Sequence, residues 1–279
     1  MADNNVFCII RYGEIGLKGN NRPLFEKKLQ DNLKLAMKLS NLSFKNVKRL
    51  NGRFLIDLGI VDVNKYSILA KVFGVTSISF AYEFAHDKLF EGIDYLLEGK
   101  KFKTFRVSTR KVNAFTEKGS IDYDCELGTY ICDKYKAKVS LKTFDLNLNM
   151  EIIGNKFLLF LDKIIGIGGL PYAIEGRTIA YINDDKDKLA ALLMMKRGCA
   201  IVVVGEADFS KYGVNPKIVT FDNKNINQFL NKIALETKCD SVVLGQTLDN
   251  FEKVSDLIEF RPLIGMDEEE IDMLIKKLL

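Results

Sequence analysis

The segment Thr178–Gly198 most constrains what this chain can fold into, because it reads as a strand, a short loop and a helix. Residues 178–182 are apolar and β-branched, which is typical of a buried parallel strand. Leu189–Met195 gives a continuous apolar helical face, and the Lys-Arg-Gly sequence at 196–198 ends the helix. A strand followed by a helix N-terminus is the arrangement that commonly binds a nucleotide phosphate.

The loop between these two elements lacks the chemistry that such a site needs. A phosphate loop uses glycines, so that backbone N–H groups close around the anion. This loop has no Gly, Ser or Thr, and two carboxylates ~5 Å apart at an effective dielectric of ~20 repel by roughly 3 kcal/mol. Two lysines offset part of that charge. The loop consists of Asn183, Asp184, Asp185, Lys186, Asp187 and Lys188.

An exposed acidic turn that caps the following helix explains the three aspartates better than a magnesium site does. We therefore predict a degenerate loop with no nucleotide-binding residue. The sequence also predicts no catalytic residue, no metal and no cofactor. The five cysteines are scattered without a CxxC pair, and His86 is the only histidine, which makes a zinc site or a disulfide framework improbable.

Length and charge narrow the class of protein. A chain of 279 residues suggests two or three small domains. No signal-peptide pattern and no apolar run of ~18–20 residues is present, so we expect a cytoplasmic protein without a membrane segment. Residues 1–170 carry 27 Lys and Arg against 19 Asp and Glu, whereas residues 171–279 carry 14 against 18. A basic front half fits contact with a polyanion, and an ordinary solvated lysine surface is the alternative.

The order of predicted elements indicates three α/β domains, the first two of the α+β kind. Residues 1–84 read as strand, helix, hairpin at Asn51-Gly52, helix and strand, which is a ferredoxin-like arrangement. Residues 85–165 form a separate α/β unit with a hairpin at Gly154-Asn155. After a linker at 163–171, residues 172–279 alternate strand and helix, which predicts a reduced, Rossmann-like parallel sheet.

Several segments are more specific than secondary-structure propensity. Together they resemble the tRNA 4-thiouridine synthetases, a tRNA sulfurtransferase family also tied to thiamine thiazole synthesis. The resemblance implies a THUMP RNA-binding domain at 85–165 and a PP-loop domain at 172–279. The segments are Ile9–Leu29, Phe105–Phe115 with the following helix Asp124–Ile131, Gly166–Pro171, Leu192–Val204 and Arg261–Asp272.

The same comparison exposes what is missing. The family's ATP loop reads Ser-Gly-Gly-x-Asp-Ser, and none of these residues is retained at 182–187. The segment Asp208–Asn225 is shorter than its family counterpart and holds no cysteine to carry sulfur. Cys199 and Cys239 have the pattern of structural residues, since no marked positive cluster adjoins either one.

The candidate RNA-binding residues are cations in the basic front half. Alternation along a strand places Arg106 and Arg110 on one face, which suits contact with a phosphate backbone. The full set is Lys18, Arg22, Arg106, Arg110, Lys111, Lys118 and Lys142.

Three functions remain open from the sequence. The first is a non-catalytic tRNA-binding protein that acts with a separate PP-loop enzyme and a sulfur donor. The second is an active tRNA sulfurtransferase with atypical residues, and the third is an interaction scaffold without RNA function. We prefer the first, with tRNA as the partner; a homodimer is compatible with it.

Overall fold

The computed structural model describes residues 5–221 and 225–279. The chain divides into two compact units. The first unit comprises the described part of residues 1–11 together with residues 43–67 and 77–165, and the second comprises residues 12–42, 68–76 and the described part of 166–279. The boundaries predicted from sequence at 84, 165 and 172 stay predictions. The first helix of the chain groups with the second unit.

The first unit is built on one mixed sheet, and its two α-helices follow β4 in the chain. Its strand order is β2-β3-β1-β4-β8-β7-β5-β6, with β9 paired to β4. The elements are β1 (Val6–Tyr12), β2 (Asn46–Leu50), β3 (Arg53–Gly59), β4 (Val75–Phe84), α2 (Leu89–Leu97), β5 (Thr104–Val112), α3 (Ser120–Tyr135), β6 (Lys138–Val139), β7 (Leu146–Ile153), β8 (Lys156–Phe160) and β9 (Ile164–Ile165).

Both predicted hairpins form where two turn residues separate alternating strands. Leu50 pairs with Arg53 across the first turn, and Ile153 pairs with Lys156 across the second. Gly154 has a φ of 63°, a left-handed conformation that glycine adopts without strain.

Strand alternation gives the sheet around β5 two different faces. On one face, Phe105 and Val107 pack with residues of α2 and α3 in an apolar core that includes Tyr123 and Leu127. The opposite face of β5 carries Arg106, Ser108 and Arg110, and we call it the helix-free face because α2 and α3 pack against the other side. Farther along the strand, Val112 joins an apolar cluster with residues of β1, β3 and β8.

The second unit contains a parallel sheet covered by helices on both faces. Its strand order is β12-β11-β10-β13-β14, and every neighbouring pair is parallel. The elements are α1 (Arg22–Leu39), β10 (Gly176–Ile182), α4 (Asp185–Lys196), β11 (Cys199–Gly205), β12 (Lys217–Val219), α5 (Ile226–Thr237), β13 (Ser241–Val243), β14 (Ile258–Phe260) and α6 (Glu268–Leu278).

Adjacent residues of the central strand β10 pack into two separate apolar cores, one on each face of the sheet, as expected for a doubly wound sheet. Ala180 and Ile182 pack with α4 and α6, whereas Ile179 packs with α5. Thr178–Ile182 therefore lies in a parallel sheet and Ala190–Lys196 is helical, which confirms the predicted α/β fold class.

Three segments refine the expectations. The second helix expected within residues 1–84 spans residues 63–71 and is a 3₁₀ helix. The strand after β11 covers only Lys217–Val219, and residues 222–224 of the short segment that follows lie outside the described residues. The loop expected at 183–188 is only two residues long, because Asp184 caps α4 and the helix begins at Asp185. Among the described residues, no helix is long and apolar enough to cross a bilayer.

Candidate nucleic-acid interface

The helix-free face of the first unit carries two of the predicted RNA-binding residues, four positions apart on β5. Arg106 is half-buried and Arg110 is exposed. The Arg106 guanidinium lies 4.6 Å from the ring centre of Phe144 and within hydrogen-bonding distance of Asn147 on the neighbouring strand β7. Ser108 also contacts the Asn147 amide, at 3.0 Å. The ring and the amide together hold this guanidinium in place.

Lys111 and Lys118 lie away from that face. Lys111 follows Arg110 on β5, so its side chain points to the other face, the one that carries the helices. There its ammonium donates to the carbonyl oxygens of Thr116 and Lys118 at 2.7 and 3.0 Å. Lys118 forms an ion pair with Glu126. Both lysines therefore stabilise the loop before α3. The structure does not bring them together with Arg106 and Arg110.

Lys142 is exposed in the loop between β6 and β7. Lys18 and Arg22 belong to the second unit, and both have protein partners. Lys18 contacts Glu175 at 3.3 Å. Arg22 forms an ion pair with Glu26 at 2.8 Å and donates to the Tyr12 hydroxyl at 2.9 Å. An RNA-contacting role for each of the seven predicted residues stays a prediction.

At the junction of β10 and α4 in the second unit, the side-chain carboxylate of Asp187 accepts hydrogen bonds from backbone N–H groups. One oxygen of the Asp187 carboxylate accepts from the Asn183 backbone N–H at 3.0 Å, and the other accepts from the Gly245 N–H at 2.7 Å. The Asp184 carboxylate accepts from the Asp187 N–H at 2.9 Å. Burial raises the pKa of Asp187, while the two backbone hydrogen bonds act in the opposite direction. The N–H groups of Asn183, Asp187 and Gly245 at this helix N-terminus are thus taken by carboxylates.

Both lysines of this segment form exposed ion pairs with carboxylates. Lys186 forms an ion pair with Glu268 at 2.7 Å, and Lys188 pairs with Asp185 at 2.9 Å. The charge of Asp184 also acts on Lys186 and, after Glu268, helps to raise its pKa. The sequence identified the acidic turn, but it did not reveal that Gly245 completes it, since that residue is 58 positions away along the chain.

The thiols of this unit have a structural setting. Cys239 is buried beside Thr237. Burial raises the pKa of the half-buried Cys199 thiol, and the Glu175 carboxylate raises it further against the opposing effect of Arg197. A raised pKa lowers the thiolate population that sulfur transfer requires. Within residues 5–221 and 225–279, no group of three or more His, Cys, Asp or Glu side chains is placed to hold a metal.

Known protein families match the first 162 residues. Residues 7–79 match the family model described as "ThiI ferredoxin-like domain", and residues 85–162 match the one described as "THUMP domain". A probable tRNA sulfurtransferase of Thermococcus kodakarensis is 30% identical over 332 residues, which cover 97% of this chain and 87% of that protein. The chain belongs to the tRNA sulfurtransferase family. Because that alignment is longer than the 279-residue chain, the relative carries segments that this family member lacks.

Solved structures agree with the assignment to the sulfurtransferase family. A protein of Pyrococcus horikoshii superposes with a TM-score of 0.84 and 27% identity, over 98% of this chain and 99% of its own. A 4-thiouridine synthetase, solved as an RNA complex with bound ATP, gives a TM-score of 0.77 and 27% identity, over 98% and 84% of the two chains. The family resemblance seen in the sequence is therefore confirmed.

Proposed function

We propose that this chain is a tRNA-binding member of the sulfurtransferase family that does not adenylate its substrate. In this proposal it presents tRNA to a separate PP-loop enzyme and a sulfur donor during thiolation. The matched THUMP domain and the 4-thiouridine synthetase solved with RNA support the tRNA-binding part. Arg106 and Arg110 on the helix-free face are the residues proposed to contact phosphate.

The observation that carries the loss of adenylation is the Asp187 carboxylate in the anion position. An adenylating enzyme must hold a highly charged triphosphate near this helix N-terminus. Here a bound triphosphate would have to displace Asp187 from the N–H groups of Asn183 and Gly245, and then remain beside Asp184 and Asp185. Displacing a hydrogen-bonded carboxylate by another anion gains no new donor and adds repulsion between like charges.

The experiment is a pair of binding measurements on the full chain. Calorimetry with ATP and Mg²⁺ is expected to show no binding at ~1 mM nucleotide, where a site of useful affinity would be occupied. Filter binding with tRNA is expected to show an affinity that falls steeply with salt, because lysines and arginines displace counterions.

Two results would favour the other functions. Pyrophosphate release from ATP that depends on tRNA would establish an active sulfurtransferase with atypical residues, the alternative that the family relationship favours. Absence of both ATP and tRNA binding would favour the interaction scaffold. The first result contradicts only the loss of adenylation, whereas the second contradicts only the RNA-binding part.

A further inference from the structure

A second group of cations lies near the beginning of β5, and only one of them, Lys142, is among the residues identified in the sequence. All of its members are exposed, and none forms an ion pair with any residue in the described part of the chain. We call this group the lysine cluster. It consists of Lys100, Lys101, Lys103, Lys136, Lys138 and Lys142.

Backbone pairing at the sheet edge brings these distant residues together. The Lys138 N–H donates to the Lys103 carbonyl at 2.9 Å, and Lys138 is the parallel partner of Thr104. The loop 140–145, which carries Lys142, is held at both ends. Its first N–H donates to the Phe105 carbonyl at 2.8 Å, and its last donates to the Thr104 carbonyl at 3.1 Å.

The three acidic residues of these segments offset only part of the charge of the lysine cluster, and one of the six lysines, Lys103, acts on the Asp145 carboxylate and helps to lower its pKa. Glu98, Asp133 and Asp145 are the acidic side chains within 98–103 and 133–145. The Asp145 carboxylate accepts from the N–H groups of Lys103 and Thr104, both at 2.9 Å, and these bonds lower its pKa. Asp145 thus holds the backbone of the cluster, and the six ammonium groups leave a local excess of positive charge.

Strand register connects this group to the predicted interface. In a parallel pair, partner residues point to the same side of the sheet, so Lys138 shares the side of Thr104. Alternation places Thr104 on the same side as Arg106 and Arg110. At about 3.3 Å per residue, the cations from Lys138 to Arg110 extend over roughly 20 Å of the helix-free face. Lys138 therefore continues the row of arginines to the sheet edge, and the other lysines of the cluster lie on the segments that flank β5 and β6.

We propose that the lysine cluster binds a second stretch of RNA phosphate backbone, continuing the path that begins at Arg106 and Arg110. This inference rests on the proposed tRNA-binding function. Unpaired ammonium groups on flexible stems suit phosphates, which they contact as point charges without reading the base sequence. Val139 and Leu141 are exposed in the same segment, so an anionic membrane surface is the competing partner. Continuity with the two arginines favours RNA.

The test compares two triple variants of the full chain that remove the same charge. Lys100→Gln, Lys101→Gln and Lys103→Gln neutralise half of the lysine cluster. Lys232→Gln, Lys276→Gln and Lys277→Gln neutralise three exposed lysines of the second unit and serve as the matched control. Both variants replace exposed side chains, and their thermal unfolding is compared with that of wild type.

We expect the cluster variant to bind tRNA about tenfold more weakly at low salt, if each lost contact resembles an exposed ion pair. Its salt slope should fall by about two, while the control stays within about twofold of wild type. Independently, tRNA should protect Lys103 and Lys138 from chemical acetylation but leave Lys276 reactive.

Equal tRNA binding by the cluster and control variants, or equal acetylation of Lys103 with and without tRNA, would overturn the inference while leaving tRNA binding intact. Loss of binding to phosphatidylserine vesicles with unchanged tRNA affinity would assign the cluster to a membrane instead. A wild-type chain that does not bind tRNA would contradict the proposed function itself.

Discussion

The Asp187 carboxylate and the Gly245 backbone N–H form a 2.7 Å hydrogen bond that joins the first turn of α4 to the segment after β13. Gly245 is buried, and its position leaves no room for a side chain. A Cβ there would lie 2.4 Å from the Asp187 nitrogen and 2.5 Å from the Lys186 carbonyl carbon. This close approach of two backbone segments is what places the N–H within reach of the carboxylate.

Gly245→Ala should therefore destabilise the second unit. The clash is with backbone atoms, which cannot move aside as a flexible side chain would, and overpacking of this kind costs about 1–3 kcal/mol. Urea unfolding followed by circular dichroism measures the loss. Gly265→Ala is the matched control, because nothing lies within 4 Å of its Cβ position. Equal stability of the two variants would show that the α4 turn tolerates separation from Gly245.

Asp187 should also leave a signature in the pH dependence of stability. Burial raises its pKa above the value of about 3.9 typical of an unfolded aspartate, so the folded state binds the proton more tightly. The favourable contribution of the protonated form is complete below the unfolded pKa and is lost as pH rises through the folded pKa.

Asp187→Asn removes that titration. Relative to this variant, wild type should be most stable at a pH below about 3.9, where an unfolded aspartate is protonated, and it should lose its relative advantage as pH rises through the higher pKa of the folded state. The measurement is the free energy of unfolding in urea at several pH values. Asp249→Asn, at an exposed position, controls for the general effect of removing a carboxylate. A wild-type advantage that grows with pH would contradict the assigned direction of the shift.

The two arginines of the helix-free face give a prediction for RNA affinity. Replacing Arg106 and Arg110 together by Ala should weaken tRNA binding by about 1–3 kcal/mol if each makes a charge-assisted contact. The salt slope should become shallower by roughly one to two. Titrations at several salt concentrations measure both quantities. Lys276→Ala with Lys277→Ala is the control, and an equal loss in that control would deny the arginines a specific role.

Local sequence was enough to predict most elements and the helix-free face. Alternation alone predicts that Arg106 and Arg110 point to the same face, because they are four residues apart on one strand. The Gly154-Asn155 pair likewise predicts its hairpin, because the turn needs a residue that tolerates a positive φ.

The features that the sequence did not predict depend on contacts between segments that are distant along the chain. The lysine cluster joins residues 100–103 to 136–142 through the short parallel pair β5–β6, and a two-residue strand leaves almost no periodic signal. Asp187 looked like one more solvated acid, since its partner Gly245 lies in another segment. Lys111 looked like part of the basic face, whereas its neighbours' carbonyl groups engage it on the other side.

The sheet of the first unit holds a buried charge network that gives the last prediction. Glu151 on β7 is 4% exposed and Arg53 on β3 is 2% exposed. The two form an ion pair, and Arg11 on β1 reaches the other carboxylate oxygen of Glu151 at 2.7 Å. Arg11 also donates to the Ser79 hydroxyl at 3.0 Å. One carboxylate therefore compensates two guanidinium groups.

Glu151→Gln should destabilise the first unit by about 3–5 kcal/mol, because it leaves the buried Arg53 without a counter-charge. Arg53→Met should cost less, since Glu151 keeps its bond to Arg11. The double variant Arg53→Met with Glu151→Met should lose less than the sum of the two single changes, because it removes both buried charges together. The chain contains no tryptophan, so circular dichroism follows urea unfolding. Glu236→Gln, an exposed change, is the control. Additive losses in the double variant, or a loss for Glu151→Gln no greater than that for Glu236→Gln, would mean that solvent already compensates Arg53.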